Sequence, residues 1–450
     1  MKFSVQEISF FERDVRLRLP FRFGIVTLTA APQAFVRARI RLADGREVEG
    51  AAAELLAPKW FDKNPALSNE DNFEQLRESL RAARSLYLAN GARTAWEHSS
   101  SGTGLVENYG PALLDRALLD ALARGVGISF FSAIQRNIVG AGLFEGIDMA
   151  AFFTQLKAQK EISARHTVGL VDPIVAADQA ERVNDGLPET LEEVVARYGH
   201  RWFKLKVGGD IEADVERLCA IASVLDRIPG TYRASLDGNE QYDDIAGVAE
   251  LWSKMNAEAR LRRLVDSIIF IEQPVKRAQA LQCKVAGIGK PVIIDESDDS
   301  MAAFPRARAL GYRGVSSKTC KGIYKSLINA ARCAAWNREK TGTEPDFFMT
   351  GEDLTIQAGL ALQQDLALVS LLGLTHVERN GHHYVNGMAG LPLSEQDAFL
   401  AAHSDLYVRS HGAVRVRISA GQLSIGSLGC SGFASAAMPG WREMREMGRA

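Results

Sequence analysis

The chain has 450 residues, more than one ordinary domain needs, and suits two domains or one large barrel with attachments. Apolar residues make up 46% and charged residues 24%, as in globular proteins, and a net charge of −2 argues against a nucleic-acid partner. No run approaches the roughly 18 apolar residues of a membrane span, and the first residues, MKFSVQEISFF, lack a signal-peptide core. Cys219, Cys283, Cys320, Cys333 and Cys430 are scattered and form no C-x-x-C, so free thiols and a cytoplasmic location are expected.

Residues 1 to about 60 read as strands, with a hairpin turning at Ala43-Asp44-Gly45. From Ser68 the period changes. NEDNFEQLRESLRAARSLYLANG suits an amphipathic helix capped by Asn69 and ended at Asn90-Gly91. YGPALLDRALLDALARGVG suits a second helix, with Pro111 near its first turn. Together these predict an α+β domain over residues 1–145. Eight short β-branched or aromatic runs then alternate with helical stretches: 166–171, 202–207, 232–237, 268–273, 291–296, 314–318, 346–351 and 374–379. Such alternation predicts a parallel sheet of βα units, and eight of them suit a closed α/β TIM barrel over 146–394. In the tail, 395–450, GAVRVRISAGQLSIG reads as a hairpin, and this segment is expected to pack back on the first domain. GAGLFEG at 140–146 misses the dinucleotide-binding glycine pattern by one position.

The chemistry lies at the strand ends. Strand two carries Lys204 and Lys206, strand three Asp237 and Asn239, strand four Glu272, strand five Asp295 and Glu296, and strand six Lys318. Residues two apart on a strand face the same way, and the C-terminal ends of barrel strands converge on one mouth. Three carboxylates gathered there repel one another unless a cation relieves them. All-oxygen donors without Cys or His favour Mg²⁺, with Mn²⁺ as the alternative. Strands two and six lie on opposite sides of strand four, so their lysines can address opposite faces of a bound carboxylic acid. A lysine, with an ordinary pKa of about 10.4, is a poor base near neutrality. A second ammonium at Lys204 would help Lys206 in that role. Glu352 and Glu378, at the ends of strands seven and eight, are candidate substrate contacts. His376, His382 and His383 read as loop or packing residues.

FKLKVGGD, SLDGNEQY, FIEQPV, IIDESDD and VSSKTCKG, in this order, resemble the enolase superfamily, in particular its muconate lactonizing enzyme subgroup. The resemblance implies a modified (β/α)₇β barrel, with an α+β N-terminal capping domain that the C-terminal tail completes. It implies that Asp237, Glu272 and Asp295 bind Mg²⁺ and that Asn239 and Glu296 support them. Lys206 and Lys318 become the acid/base pair, with Lys204 tuning Lys206. The stretches around Phe23, Thr27 and Trp60 would touch substrate. The implied reaction is abstraction of the proton next to a small substrate's carboxylate, through a metal-stabilised enediolate. A racemase, epimerase or cycloisomerase is the first reading. A syn-eliminating dehydratase is the second, a non-catalytic binding protein the third, and assembly as a homo-oligomer fits the family. Strand eight reads HVERNGHH where dipeptide epimerases of the subgroup carry D-x-D, which speaks against that activity.

Overall fold

The computed structural model describes residues 1–23, 26–100, 102–341 and 346–447, with the backbone alone for Phe23. Its first sheet is built on the long strand Lys2–Phe23, which pairs antiparallel with Val26–Leu42; Glu47–Leu55 adds on the far side. The turn between the last two strands falls at Asp44-Gly45, where Gly45 takes a φ of +89°. Two helices, Asn69–Ala89 and Leu105–Val126, cover one face of this sheet. Their approach is close: a Cβ on Gly50 would lie 2.2 Å from the Ala121 backbone nitrogen.

Both helix starts differ from the sequence reading by a few residues. Ser68, not Asn69, caps the first helix, because its hydroxyl and the Asp71 carboxylate satisfy each other's backbone donors. The second helix begins at Leu105, so Pro111 lies in its second turn. The Glu107 carbonyl, which loses its helical donor to Pro111, accepts the Ser79 hydroxyl of the first helix at 3.1 Å instead.

Eight parallel strands close the barrel: Glu161–Val168, Trp202–Lys206, Arg233–Asp237, Ile268–Glu272, Val292–Ile294, Gly314–Ser317, Phe348–Gly351 and His376–Arg379. The eighth pairs with the first, Arg379 facing His166. Helices follow the first seven strands; the eighth is followed by the four-residue helix Gly381–Tyr384, and the next helix, Leu393–Ala402, packs against the tail hairpin, in keeping with a (β/α)₇β pattern. The predicted runs all fall on these strands within a few residues. Tertiary context moved the tail: Ala413–Val416 pairs backwards with Tyr407–Ser410, while Gln422–Ser424 joins barrel strand one antiparallel. Beyond it, Phe433 stacks on Phe130 with ring centres 3.9 Å apart, and Arg445 and Glu446 pair with Glu12 and Phe11. All five cysteines are free. No helix among the described residues is long and apolar enough to cross a membrane.

The helix pair buries one carboxyl away from the barrel mouth. Asp115 accepts hydrogen bonds from the Tyr87 and Ser99 hydroxyls, both at 2.7 Å, and burial pushes its pKa up to about 7. A carboxyl that holds its proton more tightly when folded loses stability as pH rises from its unfolded value toward 7. We expect Asp115→Asn to be more stable than the parent at pH 8, by about 4 kcal/mol, and to lose that advantage at pH 4. Urea unfolding at the two pH values measures this; an advantage independent of pH would contradict it.

Candidate active site

The barrel mouth gathers the charged strand ends into one buried cluster. Lys204 and Lys206 share a face of strand two, as period two requires. Lys206 Nζ lies 2.5 Å from Asp237 Oδ2. Lys204 Nζ is ringed by four carboxylates: Asp237 at 2.9 Å, Glu272 at 2.8 Å, Glu352 at 2.8 Å and Glu378 at 3.0 Å. On the other side, Lys318 Nζ lies 2.6 Å from Asp295 Oδ2, and Lys321 Nζ reaches the second Asp295 oxygen at 3.4 Å. Arg165, on strand one, pairs with Glu352. Five carboxylates thus face four lysines and one arginine, all at most 6% exposed.

Burial and charge pull against each other here, with different winners. Burial raises the pKa of Asp237, but Lys204 and Lys206 outweigh it and hold the carboxyl below its ordinary range. Burial likewise opposes Asp295, and Lys318 and Lys321 overcome it. At Glu272 burial wins, reinforced by Asp237 and Glu352, and its pKa is raised well above the ordinary value. Lys204 is the mirror case: burial would lower its pKa, yet its carboxylates raise it far above normal. Lys204 is therefore a buried counter-ion held by four acids, rather than a free like charge beside Lys206.

Glu272 is the carboxylate of this cluster that accepts no hydrogen bond. It is fully buried; Lys204 is near enough but off axis. An orphaned buried carboxylate in an all-oxygen donor set fits a hard divalent cation. Asp237, Glu272 and Asp295 do not bring one oxygen each within 4.8 Å of one another, because lysine ammoniums lie between them. The donor chemistry fits Mg²⁺; the present spacing is that of a lysine-bridged cluster.

Asn239 and Glu296 lie behind this cluster. The Asn239 backbone N–H donates to Asp237 Oδ1 at 2.8 Å, and its side chain donates to Glu296 at 3.2 Å. Lys206, Lys318, Glu378 and Asn239 line a cavity of about 20 Å³, together with Phe21, Leu28, Trp60 and Asn380. That volume holds about one water molecule, so a substrate must displace the cap to enter. Trp60 closes the top, its ring centre 4.4 Å from Lys318 Nζ. Of the other expected contacts, Thr27 is exposed and does not line the cavity, and the Phe23 side chain lies outside the described residues. Alternation along the hairpin turns Phe21 and Leu28 inward instead. Glu352 sits deeper, against Arg165, Thr350 and Lys204, and is not part of the lining. His376 stacks on Trp202 at 4.1 Å at the start of strand eight, and His382 and His383 lie outside the cavity.

Sequence reading missed the residues that dock the cap loop carrying Trp60. Arg277 donates to the carbonyls of Trp60 and Phe61 at 2.8 and 3.0 Å while pairing with Glu240 at 2.8 Å. Lys63 reaches back to Glu240 at 2.5 Å and to the Asn239 carbonyl at 2.8 Å. Nothing local marks these residues, since each partner is distant in the chain. We expect Arg277→Ala to cost about 2 kcal/mol, because it leaves Glu240 with Lys63 alone and removes both donors to the loop carbonyls. Chemical denaturation measures the cost, and faster proteolysis within residues 58–67 should accompany it; unchanged proteolysis would dissociate Arg277 from the loop.

Residues 186–387 match the family model described as enolase C-terminal domain-like. The match spans strands two to eight of the barrel. Solved structures extend the likeness over nearly the whole chain. The L-Ala-D/L-Glu epimerase of Bacillus subtilis superposes with a TM-score of 0.61 at 17% identity, covering 96% of this chain and 99% of that one. A dipeptide epimerase from Cytophaga hutchinsonii, complexed with Mg and D-Ala-L-Val, gives 0.62 at 16%, covering 99% of each chain. A muconate lactonizing enzyme from Pseudomonas fluorescens, complexed with muconolactone, gives 0.61 at 17%, covering 98% of this chain and 97% of that one. At such identities these likenesses establish a shared fold for the cap and the enolase-like barrel together. The curated protein sequences contain no match.

Proposed function

We propose that this chain is an enolase-superfamily enzyme that removes and returns the proton next to the carboxylate of a small acid, with Lys206 and Lys318 as the two proton carriers. One observation carries the reading: both lysine side chains line the same small cavity from strands two and six. Asp237, Glu272 and Asp295 are the residues that would hold Mg²⁺, or Mn²⁺, and that ion supplies positive charge to the substrate carboxylate when bound.

The chain's own residues account for the rest. One lysine, as the free amine, takes the α-proton and becomes an ammonium, leaving its electron pair on the substrate as an enediolate. The opposite lysine, as an ammonium, returns a proton to the other face, and the configuration inverts. Lys204 supplies fixed positive charge beside the carboxylates at all times. Trp60, Phe21 and Leu28 exclude water, so the proton reaches the carbon from a lysine rather than from solvent. Glu378 accepts from Thr167 at 2.6 Å, from the Asp353 N–H at 2.9 Å and from Asn380 at 3.3 Å, with Lys204 alongside. Its lone pairs are thus already engaged, which argues against a substrate ammonium held there. Racemisation, epimerisation and cycloisomerisation all use this arrangement. Syn elimination needs one of the two as acid and base: the lysine that took the α-proton gives it to a hydroxyl that leaves as water from the same face, and the enediolate's electron pair forms the double bond.

Incubating a panel of carboxylic acids with the chain and Mg²⁺ in D₂O tests the reading. We expect one class to gain a single deuteron at the α-carbon, read by mass spectrometry, with polarimetry reporting inversion. If no acid in a chemically diverse panel exchanges or loses water, the reading fails.

A further inference from the structure

A second cluster lies outside the barrel mouth, where strands one and eight meet. His166 projects outward from strand one, since its neighbours Arg165 and Thr167 point inward to Glu352 and Glu378. His200 precedes strand two, and His382 sits on the short helix after strand eight. One ring nitrogen from each lies within 4.8 Å of the other two. The ring centres form a nearly equilateral triangle with sides of 5.3, 5.5 and 5.5 Å. Three imidazoles on one tetrahedral ion, at metal–nitrogen distances of about 2.05 Å, would place their ring centres about 5.2 Å apart.

Hydrogen bonding points the same way. His200 Nδ1 lies 2.9 Å from the Ala164 carbonyl, which can only accept, so the proton is on Nδ1 and the Nε2 lone pair is free. That Nε2, His166 Nδ1 and both nitrogens of His382 are buried without a hydrogen-bond partner. His166 and His200 are 2% and 1% exposed. A backbone carbonyl orienting one nitrogen while the other is left open is how metal-binding histidines are held. Packing histidines would be expected to satisfy these nitrogens instead. Of the nearby cations, Arg379 pairs with Asp365 and Arg18 with Asp185, while Arg415 donates to Asn386 and to the Ser410 carbonyl.

We propose that His166, His200 and His382 form a separate site for a late first-row divalent cation, Zn²⁺ by preference, which clamps the seam where the barrel closes. His382 also borders a small cavity of about 20 Å³, lined by Tyr198, Arg379 and Arg415, that has the volume of about one water molecule. Imidazole donors select Zn²⁺ over Mg²⁺, so the two sites differ in the ion they take. The site is independent of the barrel-mouth chemistry.

The test treats metal-stripped full-length chain with excess Mg²⁺ and one equivalent of Zn²⁺, followed by gel filtration and elemental analysis. We expect one Zn²⁺ per chain, kept by Glu272→Gln and lost by His382→Gln. Zn²⁺ at 100 times its Kd should raise the Tm by about 3 °C in the parent and not in His382→Gln. Co²⁺ in the unmutated chain should give the strong visible bands of a tetrahedral nitrogen-rich site, a readout that needs no variant to fold. Weak octahedral Co²⁺ bands, no retained Zn²⁺, or Zn²⁺ retained equally by His382→Gln would each overturn the proposal.

Discussion

Replacing Lys318 with alanine is expected to reduce inversion of the substrate α-carbon by about 10³-fold or more while leaving exchange of one enantiomer's α-proton intact. The reason is geometric. Lys206 and Lys318 reach one cavity from different strands, so each serves one face of the carbon. Without Lys318, Lys206 can still remove and return a proton on its own face, and deuterium enters without inversion. Lys206→Ala should give the complementary pattern with the opposite enantiomer. Either variant keeps Lys204 and its four carboxylates, so the cluster retains most of its charge balance. The measurement is α-deuteration of each separate enantiomer by NMR, beside polarimetry. If Lys318→Ala inverts its substrate within tenfold of the parent rate, or both enantiomers lose exchange together, two-lysine catalysis is wrong.

Glu272→Gln is expected to separate stability from metal dependence. Glu272 is the buried carboxylate with no hydrogen bond, and burial, Asp237 and Glu352 raise its pKa. A carboxyl with a raised folded pKa costs stability as pH climbs above its unfolded value of about 4.3. The amide removes that cost, so the metal-free variant should be at least as stable as the parent at pH 7.5. The same change removes the donor that most lacks a partner. Mg²⁺ at 100 times its Kd should stabilise the parent by about 2.7 kcal/mol and the variant hardly at all. Turnover should fall by about 10³-fold. Calorimetry with and without Mg²⁺ decides both parts. A variant that keeps the full Mg²⁺ response would remove Glu272 from the ligand set.

Much of the fold was legible because its signals are local. The eight runs, the Asp44-Gly45 turn and the helix over 69–89 each depend on period or turn chemistry within a dozen residues. The misses fell where a distant partner decided. Pro111 sits in a second turn because Ser79 of the neighbouring helix covers the carbonyl it leaves open. Gln422–Ser424 left its expected hairpin for an open edge on strand one. At the mouth, the stretch around Phe23 and Thr27 was expected to touch substrate, yet Phe21 and Leu28 line the cavity rather than Thr27.

The sequence by itself determined which charged residues end which barrel strand, because side-chain alternation and βα spacing are written within each segment. Only the tertiary structure decided their partners. Closing the barrel set Lys204 among four carboxylates, left Glu272 without a donor and laid Trp60 over Lys318. It also drew His166, His200 and His382 into a triangle from three separate elements. The physical reason is common to all of these. A charge's protonation and an imidazole's free lone pair depend on atoms a few ångströms away, and closure brings those atoms from residues far apart in the chain, such as Lys204 and Glu378 or His166 and His382.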